Sequence, residues 1–328
     1  MEHGPKPSEL GRGKLEPSAA LSIAAQAFQV DQVSAEVITA MGADDIPNIV
    51  LKGPAIATWL YAGDESRLYG DVDLLVRQRD WQRAIATLES LGFEDELGPL
   101  AHPRMESHAG HSWVRAKDDA GVDLHCTLFG IGAEPDVVWE CFAEGAVRQP
   151  LGGADSTMPS YSARLLHIAL HAVQHGGAAA KAMVDLECAV AQIPEGDWRE
   201  AALLAKRLRA EGAFGAGLRL IEPGRELADA IGAPAGGNAN TSLRLEGVPM
   251  AEGFAELAEA PGLGAKLRLL LHELIPSPDF MRWWSPLARR GRLGLLASYA
   301  WRAIWLGSHA VPGFLAWRRT ARARSRAR

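Results

Sequence analysis

The stretch YGDVDLLV, residues 69–76, threads two carboxylates into an apolar run. Side chains alternate across a strand, so Asp71 and Asp73 share one face while Val72, Leu74 and Val76 share the other. The apolar face demands helices to cover it. The acidic face demands positive charge, since two carboxylates about 4 Å apart repel by roughly 4 kcal/mol at an effective dielectric of about 20. VDLHCTLF, residues 122–129, repeats the arrangement, with Val122, Leu124, Cys126 and Leu128 on one face and Asp123, His125 and Thr127 on the other. If these two strands are neighbours, three carboxylates converge. Their hard oxygens suit Mg²⁺, which commonly shares its shell with substrate phosphates. Two ions about 3.5–4 Å apart hold both the attacking and the leaving oxygen of an in-line displacement.

The flanking segments supply a complement to that cluster. NIVLKG (48–53) predicts a short buried strand, and PAIATWLY (54–61) a helix with proline at its first position. Gly53 admits close backbone approach, the helix start offers N–H groups and a positive dipole end to a phosphate, and Lys52 adds a point charge. Arg67, in the loop before the DVD strand, is placed to reach a triphosphate or an acceptor phosphate. His125 shares a face with Asp123, where it can orient that carboxylate or contact a base. His167, His171 and His175 recur at i, i+4 and i+8, one stripe of a helix. No carboxylate stands at zinc-ligand spacing beside them, so the stripe reads as packing against the α/β unit, with one histidine lining an acceptor pocket as the sharper alternative. Asp185 on the next helix is a candidate partner for one of these histidines.

The wider pattern is α+β: a small mixed-sheet unit followed by a mostly helical half. A helix is expected over 17–41, an amphipathic one over 79–92, and a hairpin from HSWVRA (111–116) through KDDAG into VDLHCTLF. Helices follow at 161–175, 180–193, 198–211 and 214–231, then a Gly- and Asn-rich loop at 232–246, then further helix over about 250–275. The domain reading is a disordered lead at 1–16, an α/β unit at 17–155, a helical substrate or acceptor half at 156–280, and a basic, tryptophan-rich tail at 281–328.

Of 328 residues, 48% are apolar, enough for a sizeable core. Cys126, Cys141 and Cys188 show no metal-ligand spacing and read as reduced, packed thiols. The net charge of −6 is unevenly spread: residues 281–328 contain many arginines and no acidic residue, so the body is strongly acidic. An acidic body argues against a long nucleic-acid partner. Arg302 and Pro312 interrupt the apolar tail, which argues against a membrane span. The tail can lie on an anionic membrane surface, on the protein's own acidic body or on a partner protein. The polar N-terminal residues carry no apolar signal core, so the expected location is cytoplasmic, with peripheral membrane contact through the tail left open.

The series IVLKGPAIATWLY, SRLYGDVDLLV, GFE and VDLHCTLF, with YSARLLHIALHAVQH and AMVDLECAV downstream, resembles the uncharacterised nucleotidyltransferase family of the DNA polymerase beta-type nucleotidyltransferase superfamily. The likeness covers about residues 45–195 and weakens towards 305. It implies transfer of a nucleoside monophosphate from an NTP, with Mg²⁺ (two ions, or Mn²⁺ in its place) and loss of pyrophosphate. It implies Asp71 and Asp73 as paired metal ligands, Asp123 as third carboxylate and base, and Gly53 facing the triphosphate. The superfamily's usual Gly-Ser is replaced by Lys52-Gly53 before Pro54, as in the narrower family. The acceptor implied is a small molecule, a sugar or a peptide. The alternative is a nucleotide- or partner-binding module that kept the fold without turnover. A kinase-like phosphoryl transfer ranks lowest, since no GxxxxGK[ST] or kinase motif set occurs.

Overall fold

The computed structural model describes residues 17–61, 67–96, 110–176, 179–236, 239–248, 250–260 and 262–327. The lead at 1–16 and the loop tip at 62–66 lie outside the described residues. Two compact units emerge: the described residues up to 235 form the first, and those from 236 onward form the second.

The first unit opens with α1 (Pro17–Ala43), followed by β1 (Asn48–Val50), α2 (Pro54–Leu60), β2 (Asp71–Val76), α3 (Trp81–Ser90) and β3 (Glu94–Asp95). β4 (His111–Arg115) and β5 (Ala120–His125) complete a five-stranded sheet of order β1-β2-β5-β4-β3. β2 and β5 run parallel while the other pairs are antiparallel, so the sheet is mixed, as the sequence predicts. The parallel register places Asp71 beside Gly121 and Asp73 beside Asp123.

Both faces of this sheet are covered. Val72, Leu74, Val76, Val122 and Leu124 pack with Val33, Val37 and Met41 of α1 and with Ala84 and Leu88 of α3. Ile49, Leu51 and Leu75 enter a second cluster with the helices that follow: α4 (Pro135–Ala143), α5 (Tyr161–Gln174), α6 (Ala180–Gln192), α7 (Glu195–Arg207), α8 (Glu211–Leu218) and α9 (Glu222–Ala230). Leu75 belongs to the same strand face as Asp71 and Asp73, so the carboxylate face is the one the helical half covers.

The structure departs from expectation at four places. β5 stops at His125 rather than Phe129, because the chain turns at Leu128 and the amides of Gly132 and Ala133 bond the carbonyl of Leu208 at the end of α7. The helix expected over 214–231 is two helices, since Pro223 sits in the first turn of α9 and cannot continue a helix from α8. An unanticipated hairpin, β6 (Val147–Leu151) and β7 (Ala154–Met158), turns at Gly152-Gly153. The loop expected at 232–246 gives way to α10 (Ala239–Glu246), whose Leu243 is buried.

The second unit holds α10, α11 (Ala251–Glu259), α12 (Gly262–Leu274), α13 (Pro278–Trp284) and the long α14 (Gly291–Ala327). Its buried clusters are small: Leu243, Ala251, Ala255 and Ala316 in one, Phe280, Met281 and Ala288 in the other. None of the described helices is long and apolar enough to cross a membrane.

Candidate active site

The site is built on the register of β2 against β5. Asp73 is buried, with 2% of its surface exposed, and Asp123 stands directly across from it. His125 follows on the same face of β5. One ligand atom from each of Asp73, Asp123 and His125 lies within 4.8 Å of the others, a spacing at which a single metal ion can be held. On β4, Ser112 pairs with Asp123 in register and its hydroxyl donates to Asp123 Oδ1 at 2.6 Å. Asp71 lies two residues before Asp73 on this face and is half-buried.

Lys52 extends from the end of β1 into the cluster, its Nζ 2.7 Å from Asp73 Oδ1. His125 Nε2 lies 3.2 Å from the same oxygen. Burial alone would raise the Asp73 carboxyl, but Lys52 and then His125 outweigh it and hold the group well below the ordinary carboxylate range. Burial likewise works against the Lys52 ammonium, and Asp73, Asp123 and Asp71 together reverse that and raise it. Among the described residues, no ion pair of this kind steadies Asp71. Burial, then the charges of Asp73 and Asp123, raise its pKa, with Lys52 and Lys181 only partly opposing them. The charge of this face, added to burial, thus falls on Asp71.

Gly53 precedes α2 with φ +55°, a conformation that residues with a side chain rarely adopt, and a Cβ there would meet the Tyr69 ring in van der Waals contact at 3.4 Å. α2 has seven residues, and its first amides are already engaged: Pro54 has no N–H, Ala55 N bonds Lys52 O and Ala57 N bonds Gly53 O. The N–H cradle expected at this helix start is thus largely used within the turn itself. The buried Arg164 holds α2 in place, donating from Nη1 to Ala55 O and from Nε to Pro159 O.

Arg67 is buried and its fork is committed. Nε and Nη2 donate to the two oxygens of Asp185 at 2.8 and 2.7 Å, and Nη1 reaches Gly53 O at 3.4 Å. Tyr61 Oη donates to Asp185 Oδ1 at 2.7 Å. Asp185 therefore pairs with Arg67 and Tyr61 rather than with a histidine of α5. This network ties the segment entering β2, the turn before α2 and helix α6 into one support behind the site.

Of the histidine stripe, His167 and His171 lie near Lys52 and Asp73, whereas His175 is exposed. His167 is 4% exposed and lies beside the backbone of Leu51, while its Nδ1 has no hydrogen-bond partner among the described residues. Burial, then the nearby Lys52 ammonium, lower its pKa to about 3. The same two causes lower His171, whose ring lies edge-on to those of His167 and His175. Sequence reasoning missed Ser112 and Lys181. Ser112 is legible only once β4 is registered on β5, and Lys181 only once α6 is packed against the sheet. Cys126, Cys141 and Cys188 form no disulfide with one another.

The family described as uncharacterised nucleotidyltransferase matches residues 6–223. The chain belongs to that family. Membership makes it an enzyme of the nucleotidyltransferase class, and the matched span contains every residue of the site just described. Two solved structures are similar to it. The solution structure of the antibiotic-resistance factor ANT(2'')-Ia is 16% identical, covers 56% of this chain and 92% of its own, and has a TM-score of 0.39. The crystal structure of an antigenic nucleotidyltransferase-like protein from Paracoccidioides brasiliensis is 16% identical, covers 65% of this chain and 95% of its own, and has a TM-score of 0.36. Neither likeness bears on what this chain transfers. No curated protein matches the chain.

Proposed function

We propose that this enzyme moves a nucleoside monophosphate from an NTP to a small-molecule, sugar or peptide acceptor, with pyrophosphate released, and that it does so with a divalent cation. The observation that carries the reading is the convergence of Asp73, Asp123 and His125 within 4.8 Å, with Asp71 on the same face. The donor set fits the ion: carboxylate oxygens suit Mg²⁺ and Mn²⁺, and of the burial and neighbouring charge that raise Asp71, the charge is what a cation would relieve. Asp71, Asp73 and Asp123 would hold it, with His125 orienting Asp73. When bound, the cation supplies charge neutralisation at the transferring phosphoryl group and its leaving oxygens. The chain's own residues do the rest. Asp123 accepts the proton of the acceptor hydroxyl, whose oxygen forms the new bond to the α-phosphorus as the bond to pyrophosphate breaks. Lys52 stands where a cation can steady the triphosphate. Arg67 contributes by holding the Gly53 turn, not as a free phosphate ligand.

A second reading rests on the contact of Lys52 with Asp73: an internal ammonium already neutralises the central carboxylate, as suits a binding module without turnover. Thermal unfolding against a panel of NTPs, with and without Mg²⁺, separates the two once combined with release of pyrophosphate from α-labelled nucleotide. Transfer predicts a Mg²⁺-dependent NTP shift and labelled acceptor, both lost in Asp71→Asn while the melting temperature without ligand stays near wild type. An NTP shift with no pyrophosphate release for any acceptor class favours the binding module, and normal transfer by Asp71→Asn overturns the proposed ligand set. Asp73→Asn is the poorer probe. Removing one partner of a buried ion pair costs on the order of 3 kcal/mol in its own right.

A further inference from the structure

The second unit carries a surface that transfer chemistry does not use. On α14, Leu293, Leu296, Trp301, Ile304, Val311 and Leu315 are all exposed, between 47% and 82%. At 100° per residue they fall, with Phe314, within about 140° of arc along one side of the helix. That stripe runs about 33 Å from Leu293 to Leu315. The opposite side is the packed one: Gly294, Ser298, Leu306, Gly313 and Ala316 are buried there. Arg302, which breaks the apolar run in the sequence, turns to that inner side, where it donates to Glu273 at 2.9 Å and lies over the rings of Phe280 and Trp284. The exposed side therefore has no charge within its length. Its ends do, with Arg289 and Arg290 before the stripe and Arg318, Arg319 and Arg322 after it, all exposed.

Helix α12 behaves alike. It has no buried residue, and Leu263, Leu267, Leu270, Leu271 and Leu274 form an exposed stripe with Lys266 and Arg268 at its margins. Leu270 and Leu274 also line an apolar groove of about 410 Å³ shared with Phe254, Leu257 and Leu306, so the apolar surface continues from α12 towards α14. Residues 262–328 hold thirteen basic side chains and two acidic ones, whereas the rest of the chain holds twenty-one basic and thirty-eight acidic. The two acids, Glu273 and Asp279, are each paired with an arginine of this same segment.

We infer that the α12–α14 face is a seat for an anionic lipid surface, on which the protein lies without crossing it. Exposed Leu, Ile, Val, Phe and Trp in one stripe, bounded by arginines, match the two layers of a bilayer interface: acyl chains under the stripe and negative headgroups at its ends. A second copy of this chain that covers the stripe with its own stripe sets arginines against arginines, and one that brings its acidic residues to the arginines leaves the stripe uncovered. A membrane satisfies both halves of the surface at once.

The test is co-sedimentation of the full chain with vesicles. Equimolar phosphatidylglycerol–phosphatidylcholine vesicles should retain the protein about tenfold better than pure phosphatidylcholine, and retention should fall as salt is raised. Ile304→Asp combined with Val311→Asp should abolish retention. Arg318→Gln, Arg319→Gln and Arg322→Gln together should weaken it several-fold and flatten its salt dependence, and this triple variant decides the matter if the aspartate pair fails to fold. Retention on neither vesicle, equal retention on both, or arginine and aspartate variants that sediment like wild type would overturn the inference. So would a stable oligomer in solution that Ile304→Asp dissolves and that ignores lipid, since the stripe would then be a contact between copies.

Discussion

His167 shows how far a single side chain is governed by a fold it does not control. From the sequence it is one of three histidines at helical spacing. In the structure it is sealed between α5 and the end of β1, with Lys52 close enough to oppose its charging. Its folded pKa, about 3, lies below the ordinary 6.5. Above about pH 6.5 neither the folded nor the unfolded chain protonates it. Below that the unfolded chain takes up a proton that the folded chain refuses, so stability is full at neutral pH and falls as pH drops towards the folded value. The slope from this one group approaches about 1.4 kcal/mol per pH unit. Asp73, depressed rather than raised, begins to lose its contribution only below about pH 5, where the unfolded carboxyl starts to take up a proton, and completes that loss in stronger acid. Urea unfolding of wild type and His167→Gln between about pH 7 and pH 4 should therefore show a shallower decline for the variant. Parallel curves would mean that His167 is charged in the folded protein. At this scale the sequence was informative where local periodicity decides the outcome: Asp71, Asp73, Asp123 and His125 share a face because a strand alternates. It was silent where packing decides, as for the commitment of Arg67 to Asp185, 118 residues away.

The elements divide along the same line. β2 was legible because Asp71 and Asp73 alternate with Val72 and Leu74, β5 because Val122 and Leu124 alternate with Asp123 and His125, and α3 because its apolar residues recur at helical spacing. The β6–β7 hairpin was not, since VRQPL and ADSTM lack an apolar alternation strong enough to stand out, even though Gly-Gly between them is a two-residue turn. What makes that hairpin strand-like is its seat against α1. Gly152 there adopts φ +57°, and a Cβ would lie 2.1 Å from the backbone oxygen of Asp31. Neither the turn nor α1 can move aside cheaply. Gly152→Ala should cost about 2 kcal/mol or more, read as a lower urea midpoint at unchanged slope. Gly153 also has positive φ, but nothing lies within 4 Å of its Cβ position, so Gly153→Ala should cost only about 1 kcal/mol. Equal losses at the two positions would place the penalty in the turn itself and remove the argument for contact with α1.

For the whole molecule, the matched family span ends at residue 223, inside the first unit, and every residue of the candidate site belongs to that unit. The exposed α12 and α14 stripes belong to the second. Charge follows the same partition, with the basic excess confined to 262–328. A chain that divides charge, apolar exposure and active-site groups this cleanly is expected to divide its functions too. Asp71→Asn should then remove the Mg²⁺-dependent nucleotide shift and leave retention on anionic vesicles within about twofold of wild type. The arginine triple variant of α14 should do the reverse, and the combined variant should show the two losses side by side, because substitutions with no shared partners add. A nucleotide shift of the wild-type protein that differs in the presence and absence of anionic vesicles would instead reveal coupling between lipid and nucleotide. Binding at either surface would then alter affinity at the other by the same factor.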